Sequence, residues 1–277
     1  MRGARSLHLS PMRALIAFAA LLCLATPASA DRFALTYDGF GLGFVPVGGV
    51  TVDADVSDES YDITATITSR GILNLFERTD IDASASGLIS AGTVHWQRYD
   101  LDHRYSRKRR TISMQADGEG AITSQIEPIY RTWGDPAATE TERRASRDPL
   151  SNVVAMSIDV GRSRRCEGSY PTFDGRFHYL LQLSGGDIDD YEGGGYEGDV
   201  LKCTLTYVAV SGFNQRDQGR RRIPEGQVWF ALMPDTTFAP PLRISTPLSA
   251  GGATIRLASF RRARVDVEYT SDTPTPP

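Results

Sequence analysis

The chain of 277 residues carries 30 basic and 34 acidic side chains, a formal net charge of −4, and three cysteines. That balance disfavours a general nucleic-acid or anionic-membrane binder, because such proteins need a basic face. The length suits one large all-β domain or two small ones.

Arg2, Arg5 and Arg13 precede an apolar stretch from Ala14 to Ala25, and Ala28-Ser29-Ala30 follows. A charged start, a short apolar middle and a small-residue end form a secretory signal, with cleavage expected after Ala30. The stretch is shorter than the ~20 residues that span a bilayer. No later segment approaches that length without charges, so no transmembrane span is expected in the mature chain. Cys23 would suit a lipoprotein only after a small residue, and Leu22 is large. The mature protein would start at Asp31, be periplasmic, and carry 27 basic against 34 acidic residues, a formal charge of −7.

Strand patterns then follow one another. Phe33–Tyr37, Val50–Val56 and Tyr61–Ile67 alternate apolar and polar residues with period two, as half-buried strands do. Thr93–Leu101 and Tyr105–Met114 read the same way. The basic run Arg104-Tyr105-Ser106-Arg107-Lys108-Arg109-Arg110 suggests a solvated edge strand, or a docking site for an acidic partner or lipid headgroup. Ala137–Arg147 reads as an exposed polar loop. Asp148 is a good N-cap and Pro149 suits the first helical position, so a short helix is expected over residues 149–160, with Gly161 as its stop.

Further strands are expected at Arg176–Leu183, Val200–Val210, Gln227–Leu232, Leu242–Thr246, Thr254–Phe260 and Arg264–Tyr269. The glycine- and acid-rich run Gly185–Gly195 misses EF-hand spacing and reads as a flexible hairpin connection. Ser271–Pro277 reads as a disordered tail. The expectation is a single all-β, mostly antiparallel domain over residues 31–270. Its strongly curved sheet would form a barrel, half-barrel or β-spiral. In the mature chain Cys166 and Cys203 are the only cysteines. Two such residues in an oxidising compartment usually pair, and Cys-x-x-Cys spacing is absent. A structural disulfide closing ~38 residues is worth ~4 kcal/mol in the chain-entropy model.

One ordered set of short motifs resembles a known family. It runs from Cys166 through Phe173-Asp174-Gly175-Arg176-Phe177, Tyr179-Leu180-Leu181, Tyr196-Glu197-Gly198 and Cys203. Gly212-Phe213, Val228-Trp229-Phe230 and Pro241-Leu242-Arg243-Ile244 complete it. Tyr37-Asp38-Gly39 and Asp148-Pro149-Leu150-Ser151 also fit. The order is similar to the bacterial domain-of-unknown-function family 3108. The resemblance implies an exported, periplasmic, β-rich protein without an established activity. Lipoprotein carriers and envelope-integrity proteins, whose curved sheet surrounds a helix, are a fold-level analogy only.

Chemistry-bearing patterns are sparse. Gly-x-Ser-x-Gly is absent, and His95, His103 and His178 have no paired nucleophile motif. No metal-ligand spacing occurs, and Gly39–Gly43 lacks the lysine and helix of a phosphate loop; its glycines suit a bulge or sharp bend. Asp189, Asp190, Glu192 and Glu197 sit in a glycine-rich run, poorly suited to hold the separation that glycoside cleavage needs. No cofactor, metal or catalytic set is therefore expected. Trp96, Tyr99, Trp133, Trp229 and Phe230 would furnish either a barrel core or an apolar pocket for an acyl chain. The reading is a non-enzymatic envelope protein that binds a protein partner or a lipid-like ligand. The alternative is a periplasmic hydrolase acting on envelope polymers.

Overall fold

A computed structural model describes residues 29–70, 78–248 and 251–266. The strands are β1 (Ser29–Gly41), β2 (Val45–Val56), β3 (Ser60–Ser69), β4 (Thr79–Ser90), β5 (Thr93–Tyr105), β6 (Lys108–Ala116) and β7 (Ile122–Glu127). They continue with β8 (Gly168–Phe173), β9 (His178–Gly193), β10 (Tyr196–Ser211), β11 (Gly226–Ala231), β12 (Pro241–Leu248) and β13 (Gly251–Asp266). Helices α1 (Glu140–Arg144) and α2 (Pro149–Ser163) lie between β7 and β8 in the chain. A short α3 (Gln218–Arg221) follows β10.

All thirteen strands form one antiparallel sheet in the order β7-β6-β5-β4-β3-β2-β1-β13-β12-β11-β10-β9-β8. The first and last strands pair along their length, from Ser29 opposite Asp266 to Phe40 opposite Thr254. Two meanders are thereby joined at the centre, and β7 and β8 become the two edges. The sheet curls but does not close. Its curl shows in α2, which packs against β4 and β5 of one meander and β8 and β11 of the other.

Period-two alternation supplies the inner face. Tyr61, Ile63 and Ala65 of β3 are buried while Asp62, Thr64 and Thr66 are exposed. Phe33 and Leu35 of β1 join Tyr61 and Ile63 in a single buried cluster with Val154, Ile158 and Val160 of α2. The start of α2 is itself buried. The Asp148 carboxylate accepts from the backbone N–H groups of Leu150 (3.0 Å) and Ser151 (2.9 Å) and from the Ser151 hydroxyl. The Ser151 and Tyr61 hydroxyls lie 2.6 Å apart, tying the cap to β3. Asn152 Nδ2 donates to Pro171 O and Thr172 Oγ1 of β8, so one turn of helix is fixed to both halves of the sheet.

Several sequence expectations are corrected here. The helix does not stop at Gly161. It runs to Ser163 and is capped by Arg164 in the left-handed region. Gly161 serves packing instead, because a Cβ there would lie 2.0 Å from Thr237 O. Strand β4 was not expected: its buried positions are Ala85, Gly87 and Ile89, and two small residues of the three give weak alternation, while α2 packs against this strand. The short edge strands β7 and β8 were also not expected. Residues 137–147 are not simply a loop, since Thr139 and Glu142 form a reciprocal capping box that starts α1. The basic run 104–110 is the tip of the β5–β6 hairpin, where Tyr105 pairs with Lys108, and the edge of the sheet is β7 rather than β6. The bend expected at Gly39–Gly43 is present as a register shift between Gly39 and Phe40.

The run Gly185–Gly195 is not a loop either; it belongs mostly to β9. Cys166 and Cys203 are bonded, with Cα atoms 5.4 Å apart, and the bridge passes across β9 from the start of β8 to β10. Pairing skips from Lys202–Asp187 to Thr204–Ser184, so Gly185 and Gly186 stand opposite Cys203. Gly186 has φ +127°, and a Cβ on it would lie 2.9 Å from Cys166 Sγ. The bulge therefore makes room for the disulfide. The expected signal region up to residue 28 and the tail Ser271–Pro277 lie outside the described residues. The expected cleavage point after Ala30 falls within β1, where Ala30 pairs with Val265.

Two outcomes follow from this packing. Cys203→Ala should lose roughly 2–5 kcal/mol of stability, read from the urea midpoint, and an unchanged midpoint would contradict the bracing role. Burial pushes the Asp148 carboxyl up to about 6, against the pull of its hydrogen bonds from Ser151 and Leu150. Its unfolded value is ~3.9, so the folded state binds the proton more tightly between about pH 4 and 6. The associated stability is present below about pH 4 and lost as pH rises past about 6, on the order of 3 kcal/mol. Asp148→Asn keeps an acceptor but cannot ionise. Melting curves across that window should show the wild type losing ground to D148N, and parallel pH profiles would contradict the assignment.

Candidate functional site at the open seam

The two edges of the sheet are treated differently by the chain. The outer edge of β8 is covered: Arg147 N–H donates to Pro171 O (3.0 Å), and Phe173 N–H donates to Arg147 O (2.9 Å). Pro171 has no N–H to offer. Strand β7 pairs with β6 through Thr111–Glu127 to Ala116–Ile122. Among the described residues no backbone hydrogen bond reaches its other edge. Nor does β7 carry proline or lysine, the usual protections of an edge.

Beside that edge lies a groove of about 400 Å³, lined by Ser124 and Ile126 of β7, Ile129, Trp133, Ala137 and Ala138 of the following segment, Arg143 of α1, and Phe173 and Arg176. The segment is pinned across the barrel mouth. Asp135 N–H donates to Phe213 O, and Gly212 N–H donates to Pro136 O, both at 2.9 Å. Tyr130 and Trp133 meet edge to face at 5.6 Å, and the Arg110 guanidinium sits 4.0 Å from the Tyr130 ring centre. Arg176 is held by Asp217 at 3.0 Å. Arg143 is half-buried, and its guanidinium meets no carboxylate among the described residues. The groove thus offers apolar walls, an unpaired strand edge and an uncommitted cation.

Below the groove, Glu142 connects α1 to the strands. Its carboxylate accepts from Thr139 N–H (2.7 Å), the Thr139 hydroxyl (2.9 Å) and the Ser211 hydroxyl (3.1 Å), and His178 Nδ1 lies 3.6 Å away. Burial alone would raise this carboxyl, but those hydrogen bonds and His178 hold it below its ordinary value. Burial pushes His178 down despite Glu142. Serine, carboxylate and imidazole meet here in the wrong order for a hydrolase. The Ser211 proton is directed at the carboxylate, whereas a triad needs the imidazole between the other two. Further in, burial raises Tyr99 and Tyr179 well above the usual phenol value.

The five aromatics expected to line a pocket are not gathered into one. Trp96 is core, its indole N–H donating to Ser146 O at 3.0 Å, and Phe230 is 1% exposed. Trp229, its neighbour on β11, lies between Lys202 and Arg243, 4.4 and 4.7 Å from its ring centre. Tyr99 is buried inside the sheet. Only Trp133 reaches the seam groove. His95 and His103 lie eight residues apart on one strand, about 26 Å at the usual rise. Asp189, Asp190, Glu192 and Glu197 are exposed on the β9–β10 hairpin, and Asp189 pairs with Lys202. No group of three or more His, Cys, Asp or Glu suited to a metal lies among the described residues, and no helix among them is long and apolar enough to cross a membrane. Sequence reading missed Arg143, Ile126 and Phe173. The Thr139-x-x-Glu142 capping box was the one signal that could have placed α1 and Arg143.

Trp133 and Trp96 should separate cleanly in stability. Trp133 is 40% exposed and Trp96 8%. Trp133→Ala should cost less than about 1 kcal/mol, and Trp96→Ala about 3–5 kcal/mol, both by urea denaturation. Similar losses would place Trp133 in the core rather than at a binding surface.

Comparison with known proteins agrees with the fold. A crystal structure described as a β-barrel-like protein of domain of unknown function DUF1849, from Brucella abortus, superposes with a TM-score of 0.51 at 11% identity. The match covers 86% of this chain and 98% of that one; at that identity it speaks for the fold alone. No curated protein matches the chain. The model of the family described as "Protein of unknown function (DUF3108)" matches residues 32–258. By that match the chain belongs to the DUF3108 family.

Proposed function

We propose that this is an exported, non-enzymatic periplasmic protein that holds an extended segment of a protein partner at the seam between β7 and β8. The observation that carries this reading is the unpaired edge of β7 beside a groove containing Trp133 and the uncommitted Arg143. An extended peptide adds to such an edge through main-chain hydrogen bonds, while a neighbouring groove selects its side chains. Export is supported by the arginine-led apolar leader ending in Ala28-Ser29-Ala30 and by the Cys166–Cys203 bridge, since disulfides persist in oxidising compartments.

The other readings have less support. An acyl chain inside the barrel would have to displace α2, whose Val154, Ile158 and Val160 already belong to the core. A hydrolase needs an imidazole facing its nucleophile, and the Ser211 hydroxyl donates to Glu142 instead.

A photo-crosslinking residue at Ser124, used in living cells, tests the proposal. It should capture a protein partner, and Trp133→Ala with Arg143→Glu should reduce capture about tenfold or more. The same probe at Asp62, on the exposed face of β3, should capture nothing specific. Absence of a partner at Ser124, or capture that both substitutions leave unchanged, would contradict the proposal.

A further inference from the structure

We propose that the end of the barrel formed by the β1–β2 and β5–β6 hairpin tips docks on an anionic lipid surface. Pairing runs in one row from Asp38 through Gly49, Thr68, Asp80 and Arg104 to Arg109. Both tips lie on the same side of that row, separated by about 19 Å along the sheet at normal strand spacing. The β5–β6 hairpin turns almost at once, at Ser106-Arg107. The β1–β2 hairpin continues two to three residues further, about 8 Å at the usual rise.

The two tips differ in chemistry as they differ in reach. Leu42 is 55% exposed and Phe44 78% exposed at the longer tip. That exposure is not fraying, because Gly43 N–H donates to Gly252 O at 3.1 Å and braces the tip against the β12–β13 hairpin. At the shorter tip, Arg104 pairs with Asp82 and Arg109 with Asp102, and Arg110 donates to Pro128 O. Asp82 and Asp102, the carboxylates that face this hairpin from β4 and β5, are therefore matched. Arg107 and Lys108 are exposed and meet no carboxylate among the described residues; the Lys108 ammonium lies only over the Tyr105 ring, at 5.9 Å.

An apolar point ahead of a band of free cations matches the layering of a bilayer surface, with phosphates outside and acyl chains within. The chain's net charge of −4 argues against a general basic face. It does not bear on a local one built where Asp82 and Asp102 are already paired. The side chains at the two tips, Leu42, Phe44, Arg107 and Lys108, do not line the seam groove, and the inference does not depend on the function proposed for it.

Flotation with vesicles tests the inference. Protein spanning residues 29–277, which holds every described element and lacks the apolar leader, should float with phosphatidylglycerol–phosphatidylethanolamine vesicles and not with phosphatidylcholine alone. Removing an apolar side chain from a lipid-buried site costs roughly a factor of ten or more in partition. Leu42→Ser with Phe44→Ser should therefore reduce flotation at least about tenfold, and so should Arg107→Glu with Lys108→Glu. Both pairs are exposed, so circular dichroism should be unchanged. Trp133→Ala with Arg143→Glu should leave flotation intact, which separates this surface from the seam. No flotation with the anionic vesicles, equal flotation with phosphatidylcholine, or flotation that neither tip variant alters would overturn the inference.

Discussion

The pairing of β1 with β13 governs the rest of the molecule. It joins the first and last strands at the centre of the sheet, so both edges come from the middle of the chain. The connection between the edges must then cross the seam that they leave. The two longest irregular pieces of that crossing, the 128–138 segment and α2, lie in this connection together with α1. The helix is drawn inside because its apolar face can be buried only against the concave side of the sheet, and it reaches β4, β5, β8 and β11 there.

A seam is a conflict between two demands. Closing the barrel would pair β7 with β8 and satisfy both edges. Yet Arg147 already occupies the outer edge of β8, and the start of α2 is anchored there through Asn152. Fixing the helix therefore leaves β7 unpaired. The disulfide sits on the β8 side and holds β8 to β10 across the β9 bulge. The braced edge and the open edge thus face one another over a groove, which is an arrangement suited to receiving an extended chain. Binding there would leave the buried Asp148–Ser151–Tyr61 contact undisturbed.

Much of this fold was legible in the sequence because period-two alternation is a direct consequence of a half-buried sheet. Phe33, Leu35 and Tyr37, or Tyr61, Ile63 and Ala65, declare their strands without help. The N-cap Asp148 and Pro149 declared the start of α2 equally well. The misses have physical causes. Strand β4 has alanine and glycine at the buried positions 85 and 87, which give weak alternation, and Gly161 looked like a stop because close contact of the helix with the backbone at Thr237 also needs glycine. Gly185 and Gly186 looked like a loop because the need to clear a disulfide is invisible without pairing register. The functional site was the least legible. Trp96 and Phe230 carry the same letters whether they line a pocket or fill a core, and Arg143 is uncommitted only because of what the fold places around it.

The claim that β1–β13 pairing closes the centre while the β7 edge stays open is tested most directly by residue-resolved amide hydrogen exchange. Amides of β1 and β13 should exchange only through global unfolding, whereas alternate amides of β7, those facing the seam, should exchange orders of magnitude faster. Uniform protection of the β7 amides at the level of β1 would contradict an open edge.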